Sequence, residues 1–300
     1  MPWKDALIMN PISTVLKLAP TNSRSSQPSQ DSVAVSLQGV SKTYATASGE
    51  NVNALQKINL DIRSQQFVSV IGASGCGKTT LLRIIGGLEP EYDGDLLLNG
   101  SKRSGPTKDI GIVFQDANLL PWRTVLNNVL LPAHVLKLDI KQATARAYDL
   151  LDLVGLKGFE SKYPFELSGG MRQRVAIARA LVHDPSVLLM DEPFGALDAL
   201  TREHMNLELL KIWQSAKKTV FMITHSISEA AFMSDRVIVM SPRPGRIIED
   251  VVIGLPRPRN LDLLSDAAFG NYTRRLRHLL DHGEDAPATG NEASGRVHYD

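Results

Sequence analysis

Short apolar runs of five or six residues punctuate this chain, separated by longer stretches in which apolar positions recur at helical spacing. FVSVI (67–71), DIGIVF (109–114), SVLLMD (186–191), KTVFMIT (218–224) and DRVIVM (235–240) are largely apolar at successive positions. Strands of that kind are buried on both faces, as in a parallel sheet covered by helices. Helical patterns fall between them at 79–87, 140–154, 170–183, 199–216 and 226–233. The alternation predicts an α/β fold with a mainly parallel sheet. VAVSLQGVSKTY (33–44) and KINLDI (57–62) predict an antiparallel β pair on the N-terminal side. The mostly helical stretch from about 116 to 180 interrupts the strand series and reads as a small helical subdomain.

Outside a folded body of about 33–282 the pattern fades. Residues 20–32, PTNSRSSQPSQDS, and the stretch 283–300 are polar, with too little apolar surface to fold alone. They predict a disordered extension over 1–32 and a disordered tail over 283–300. No run approaches the ~18–20 apolar residues that cross a bilayer. The segment ALIMNPISTVLKLA is broken by Asn10, Pro11 and Lys17 and does not read as a signal peptide.

Lys plus Arg (33) nearly balances Asp plus Glu (32), which argues against a dedicated nucleic-acid binder. The single cysteine, Cys76, excludes an internal disulfide and any multi-cysteine zinc site, and fits a reducing compartment.

The run Gly72-Ala73-Ser74-Gly75-Cys76-Gly77-Lys78-Thr79-Thr80 follows a predicted strand and opens a predicted helix. It satisfies the phosphate-loop pattern G-x-x-x-x-G-K-[ST] in the strand–loop–helix setting the chemistry requires. Glycines let the loop curl so that backbone N–H groups converge on phosphate oxygens, and the helix N-terminus adds its positive end. Lys78 offers a point charge to the β- and γ-phosphates, and the Thr79 hydroxyl is a Mg²⁺ ligand. Cys76 lies near Lys78 and the helix start, a setting that favours thiolate and alkylation that ATP would block. Asp191 and Glu192 end the run Val187-Leu188-Leu189-Met190, at the carboxyl end of a buried strand where ligands of open α/β sheets bind. There Asp191 is placed to hold Mg²⁺, and Glu192 to take a proton from attacking water.

Leu167-Ser168-Gly169-Gly170-Met171 with RQRVAIARAL after it resembles the signature of the ATP-binding subunits of ABC transporters. The likeness spans about Val33 to Arg259, with the motifs in the family's order. Ser168 suits a helix cap, and the two glycines leave backbone N–H groups open to an anion. The resemblance implies a P-loop ABC ATPase domain over 33–260, with an antiparallel β subdomain and a helical signature subdomain, followed by a helical segment over 261–282. It implies a head-to-tail homodimer holding two ATP and Mg²⁺, each nucleotide between one phosphate loop and the partner's signature. By resemblance, Tyr44 stacks on adenine, Gln115 senses Mg²⁺ and water, Asp198 crosses the dimer interface and His225 contacts the γ-phosphate. Met171 stands where the family more often has Gln, and Ser226 where it has Asp.

The implied partners are integral-membrane permease subunits and an external solute-binding protein, which place this subunit peripherally on the cytoplasmic face of the membrane. FQDANLLPW (114–122), SPRPGRI (241–247) and LPRPR (255–259) resemble the nitrate, sulfonate and taurine import branch. Trp122 reads either as a partner anchor or as a core residue of the helical stretch. An importer of another small solute and a non-transport ABC ATPase are the alternatives. Lys78 and Ser168 lie 90 positions apart (168 − 78), and the interval lacks heptads, unlike the coiled-coil insertion of DNA-repair types.

Overall fold

The computed structural model describes residues 32–45, 51–195 and 197–282; the extension and tail expected at 1–32 and 283–300 lie outside these, Ser32 apart. Chain order is β1 (Val33–Ala45), β2 (Asn51–Arg63), β3 (Phe67–Gly72), α1 (Lys78–Ile85), β4 (Asp93–Leu98), β5 (Ser101–Lys102), β6 (Ile110–Val113), α2 (Val125–Val129), α3 (Leu131–Val135), α4 (Ile140–Leu153), α5 (Gly169–Leu181), β7 (Val187–Asp191), α6 (Ala199–Ala216), β8 (Thr219–Ile223), α7 (Ile227–Met233), β9 (Arg236–Met240), β10 (Ile247–Val252) and α8 (Ala267–His282).

Six strands form one sheet in the order β10-β9-β3-β8-β7-β6, and four form a second in the order β2-β1-β4-β5. All neighbours in the larger sheet run parallel except β10, which closes one edge antiparallel to β9. The smaller sheet is antiparallel throughout.

The apolar runs are explained by burial on two sides. In β7, Val187 and Leu189 join a core shared with α1 and the antiparallel sheet, whereas Leu188 and Met190 join a core shared with α5, α6 and α7. Phe221 and Ile223 of β8 alternate in the same way with Val220 and Met222. Both faces are therefore dry, and no polar alternation survives in the sequence.

Two parts of the architecture differ from what the pattern suggested. DGDLLL and IIEDVV, carrying acidic residues among the apolar ones, form strands β4 and β10. The segment expected to be helical from 261 begins as a 3-10 turn, Leu261–Ser265, before α8. Trp122 is 71% exposed and so is no core residue. The LPRPR segment turns out to be a strap: the buried Arg259 guanidinium donates to the carbonyls of Phe232 and Ser234, both at 2.8 Å, closing the C-terminal end of α7. Burial, with Arg257 alongside, pulls that guanidinium down to about 10.

Candidate functional site

The carboxyl ends of β3, β7 and β8 converge because these strands are neighbours in register, with Asp191 of β7 opposite Ile223 of β8. The loop from Gly72 to Gly77 leaves β3 and enters α1 at that edge. Gly77 takes φ +105°, and a Cβ there would lie 2.6 Å from Leu55 Cδ2 and 2.8 Å from the Ala54 carbonyl. Only glycine lets β2 approach the loop so closely. Buried Lys78 extends back along the loop and donates to the carbonyls of Gly72 (2.8 Å) and Ala73 (2.9 Å).

A groove of about 260 Å³ opens here, lined by Tyr44, Ser74, Gly75, Gly77, Lys78, Thr79, Thr80, Glu192 and His225 among others. Residues far apart in sequence thus meet around one concavity. Thr79 Oγ1 donates to Asp191 Oδ1 at 3.4 Å. Burial first, and Glu192 second, push the Asp191 carboxyl up. Glu192 has φ +47°, a left-handed backbone uncommon outside glycine. That turn brings Glu192 Oε1 to 2.5 Å from His225 Nε2. A methyl group placed on Gly195 would lie 3.6 Å from both Gln115 Nε2 and Glu192 Oε2, so these two side chains flank the same point.

Tyr44 is held at the other end of the groove. Its hydroxyl donates to Glu89 Oε2 (3.0 Å), while the buried Lys42 ammonium sits 4.7 Å from its ring centroid and 2.9 Å from Glu89 Oε1. The hydrogen bond from Lys42, with that from Tyr44 assisting, holds the Glu89 carboxyl below its usual range.

Ser168, Gly169, Gly170 and Asp198 do not join this groove. They line a second one of about 610 Å³, with Met171, Leu197 and Thr201. Ser168 caps α5 by accepting the Met171 N–H (3.3 Å), and Asp198 caps α6 by accepting the Thr201 N–H (3.0 Å). A Cβ on Gly169 or Gly170 would meet nothing closer than 3.8 Å or 3.9 Å. Nothing in the described part of the chain therefore requires glycine at either position, in contrast to Gly77.

Several supporting residues lie in segments that carry the resemblance but had no individual role legible in the sequence. On α5, Gln173 donates to the Phe114 carbonyl (3.0 Å) and Arg179 to those of Ala117 (2.6 Å) and Asn118 (2.8 Å), bracketing Gln115. The turn after β9 folds onto the phosphate loop: Arg243 Nη2 donates to the Gly75 carbonyl at 3.1 Å, and a Cβ on Gly245 would lie 2.1 Å from the Cys76 carbonyl oxygen. Cys76 is 1% exposed and packs in the core against that turn, which removes the accessible thiol expected from its place in the motif.

A glycine loop at a helix start, with carboxylates at the end of a strand two places away in the same parallel sheet, defines a P-loop nucleotide-binding protein. Comparison narrows the class. The ABC transporter family description matches residues 55–195. The aliphatic sulfonates import ATP-binding protein SsuB of Bacillus cereus is 47% identical over 226 residues, covering 75% of this chain and 88% of that protein. The taurine import ATP-binding protein TauB of Rhizobium johnstonii is 52% identical over 205 residues, 68% of this chain and 78% of that one. Among solved structures, the dimeric ATP-binding cassette MJ0796 in a post-hydrolysis state with ADP and Pi matches with TM-score 0.64 and 36% identity, over 74% of this chain and all of that one. The chain belongs to the ABC transporter ATP-binding family.

Proposed function

We propose that this protein is the ATP-hydrolysing subunit of an importer for an organosulfonate, either taurine or an aliphatic sulfonate, and works as a homodimer beneath integral-membrane permease subunits. One observation carries the dimeric reading. The phosphate loop and the signature line two separate grooves of one chain, and the signature glycines have room that their own chain leaves open. A second copy, turned head to tail, would bring its signature over the first copy's nucleotide. The names of the relatives support the solute class. In the full system an external solute-binding protein would deliver the solute. Among the described residues no helix is long and apolar enough to cross a membrane, in keeping with a peripheral subunit.

The division of labour follows from chemistry. Backbone N–H groups from Gly75 to Thr80 and the Lys78 ammonium would hold the β- and γ-phosphates, and Tyr44 would stack on the adenine. Thr79 and Asp191 offer two oxygen ligands at one edge of the groove, and no cluster of three acidic, histidine or cysteine side chains occurs among the described residues. That set fits Mg²⁺, which keeps water and phosphate oxygens rather than a full protein cage. Held there, Mg²⁺ would supply positive charge that offsets the charge of the phosphates. Glu192 takes the proton of the attacking water. His225 contacts the γ-phosphate and keeps Glu192 oriented, while Gln115 places the water beside it. Ser168, Gly169 and Gly170 of a second copy would close over the γ-phosphate, with Asp198 crossing the interface. Opening and closing of the pair would then move the permease by differential binding of ATP and ADP.

Deletion of the gene, followed by uptake of labelled taurine, an alkanesulfonate and nitrate, tests this reading. Loss of taurine or alkanesulfonate uptake, restored by wild type but not by Lys78→Ala, is the expected result. Loss of nitrate uptake alone would overturn the solute class, and unchanged uptake of all three in a host without redundant importers would overturn the branch.

A further inference from the structure

Glu229 is the third residue of α7 and only 6% exposed. With Ser226 three residues ahead it has the spacing of a capping box, in which the acid reaches back to the N–H of the cap residue. Here that box is closed through a third residue. The Ser226 hydroxyl accepts the Glu229 N–H (3.2 Å), but the Ser226 N–H donates to Thr224 Oγ1 (3.0 Å), whose own hydroxyl donates to Glu229 Oε2. The residue enclosed between Thr224 and Ser226 is His225. One buried carboxyl thereby ties down both neighbours of the histidine that meets Glu192.

A cap alone needs no burial, and a buried carboxyl costs free energy that an apolar side chain would not. Burial pushes the Glu229 carboxyl up, against the opposing pull of Thr224, Arg202 and Asn206. Arg202 and Asn206 come from α6, at four-residue steps from Asp198, so the three share a face of that helix. Arg202 also donates to the carbonyls of Phe194 (3.3 Å) and Leu197 (2.7 Å) in the segment leading to Asp198. Glu229 is thus packed between the helix that follows Asp198 and the turn that carries His225.

We propose that Glu229 is a positioning residue for His225: through Thr224 and Ser226 it fixes the backbone on both sides of the histidine so that the imidazole meets Glu192. The inference rests on the role given to His225 above. Gln at this position keeps the shape of the side chain and a carbonyl oxygen that still accepts the Thr224 hydroxyl proton.

The test is MgATP turnover by the full chain, with ATP affinity and melting temperature measured alongside. Glu229→Gln and Thr224→Ser are expected within about 3-fold of wild-type turnover, whereas Glu229→Leu and Thr224→Val fall by ~10-fold or more with ATP affinity held within about 2-fold. The double variant Glu229→Leu/His225→Ala should be no slower than His225→Ala alone, because one acts through the other. A purely structural role would instead lower the melting temperature and multiply with the His225→Ala loss. Thr224→Val carries the same test should Glu229→Leu fail to fold. Wild-type turnover in both apolar variants, or multiplying losses in the double, overturns the proposal. Unchanged turnover in His225→Ala would overturn the role of the histidine itself, and the two failures are distinguished by that single variant.

Discussion

Glu192 and His225 approach to 2.5 Å, although they lie 33 positions apart (225 − 192). The pairing of β7 with β8 places Asp191 opposite Ile223, and the Glu192 N–H donates to the Ile223 carbonyl at 3.0 Å. The left-handed turn at Glu192 then aims its carboxylate across the strand gap. Backbone strain of this kind, costing on the order of 1–3 kcal/mol, persists where the surroundings over-determine it.

Glu192→Gln keeps the shape and removes the proposed base. Turnover of MgATP should fall by roughly 10²- to 10⁴-fold while ATP affinity stays near wild type, measured by steady-state hydrolysis and by equilibrium titration. Unchanged hydrolysis would remove Glu192 from the reaction.

Asp191 is held in a half-buried site beside a second carboxylate, so its charge opposes folding of the empty protein. Its carboxyl is pushed up, which means that ionisation above the ordinary carboxylate range costs stability rather than adding it. Asp191→Asn should therefore melt a few degrees higher without nucleotide, by about 1–3 °C. The extra stabilisation that Mg²⁺ adds to ATP should vanish. Thermal melts with ATP, with and without Mg²⁺, read both effects.

Glu89 behaves in the opposite sense. Its carboxyl is lowered by Lys42 and Tyr44, so the stability it contributes is present above its unfolded pKa and is lost as pH falls through the lowered folded value. Glu89→Gln should thus destabilise the protein at neutral pH, and its difference from wild type should shrink as pH falls below the ordinary carboxylate range. Denaturant melts at several pH values check this. The same variant should weaken ATP binding a few-fold, because Tyr44 loses the acceptor that orients it.

Cys76 should react slowly with a maleimide in the native protein and fully in denaturant, with little further protection by ATP, since only 1% of it is exposed. Fast native labelling would show that the phosphate loop opens far enough to release the thiol from the core.

Much of this site was legible because its chemistry is local. The phosphate loop, the acidic pair after VLLM and the helix cap at Ser168 each occupy consecutive positions, and runs such as VLLM and TVFMI announce a sheet buried on two faces. Contacts that depend on tertiary approach left no comparable trace. Arg243 meets Gly75 across 168 residues, Gln173 meets the strand end before Gln115, and Lys42 reaches Glu89, contacts that residue type and local spacing do not reveal. Strands β4 and β10 were obscured for a different reason. Exposed on one side, they carry acidic residues that break the apolar run without establishing a clean alternation.

The central claim is that two copies share each nucleotide, and the mass of Glu192→Gln in solution with ATP tests it most directly. Light scattering should give twice the mass of one chain with ATP and a single-chain mass with ADP. Adding Gly170→Asp, for which the fold has room but the approaching phosphates would not, should abolish the ATP-dependent dimer while ATP binding to the phosphate loop persists. A Glu192→Gln protein that binds ATP yet stays monomeric, or a dimer indifferent to Gly170→Asp, would contradict the shared site.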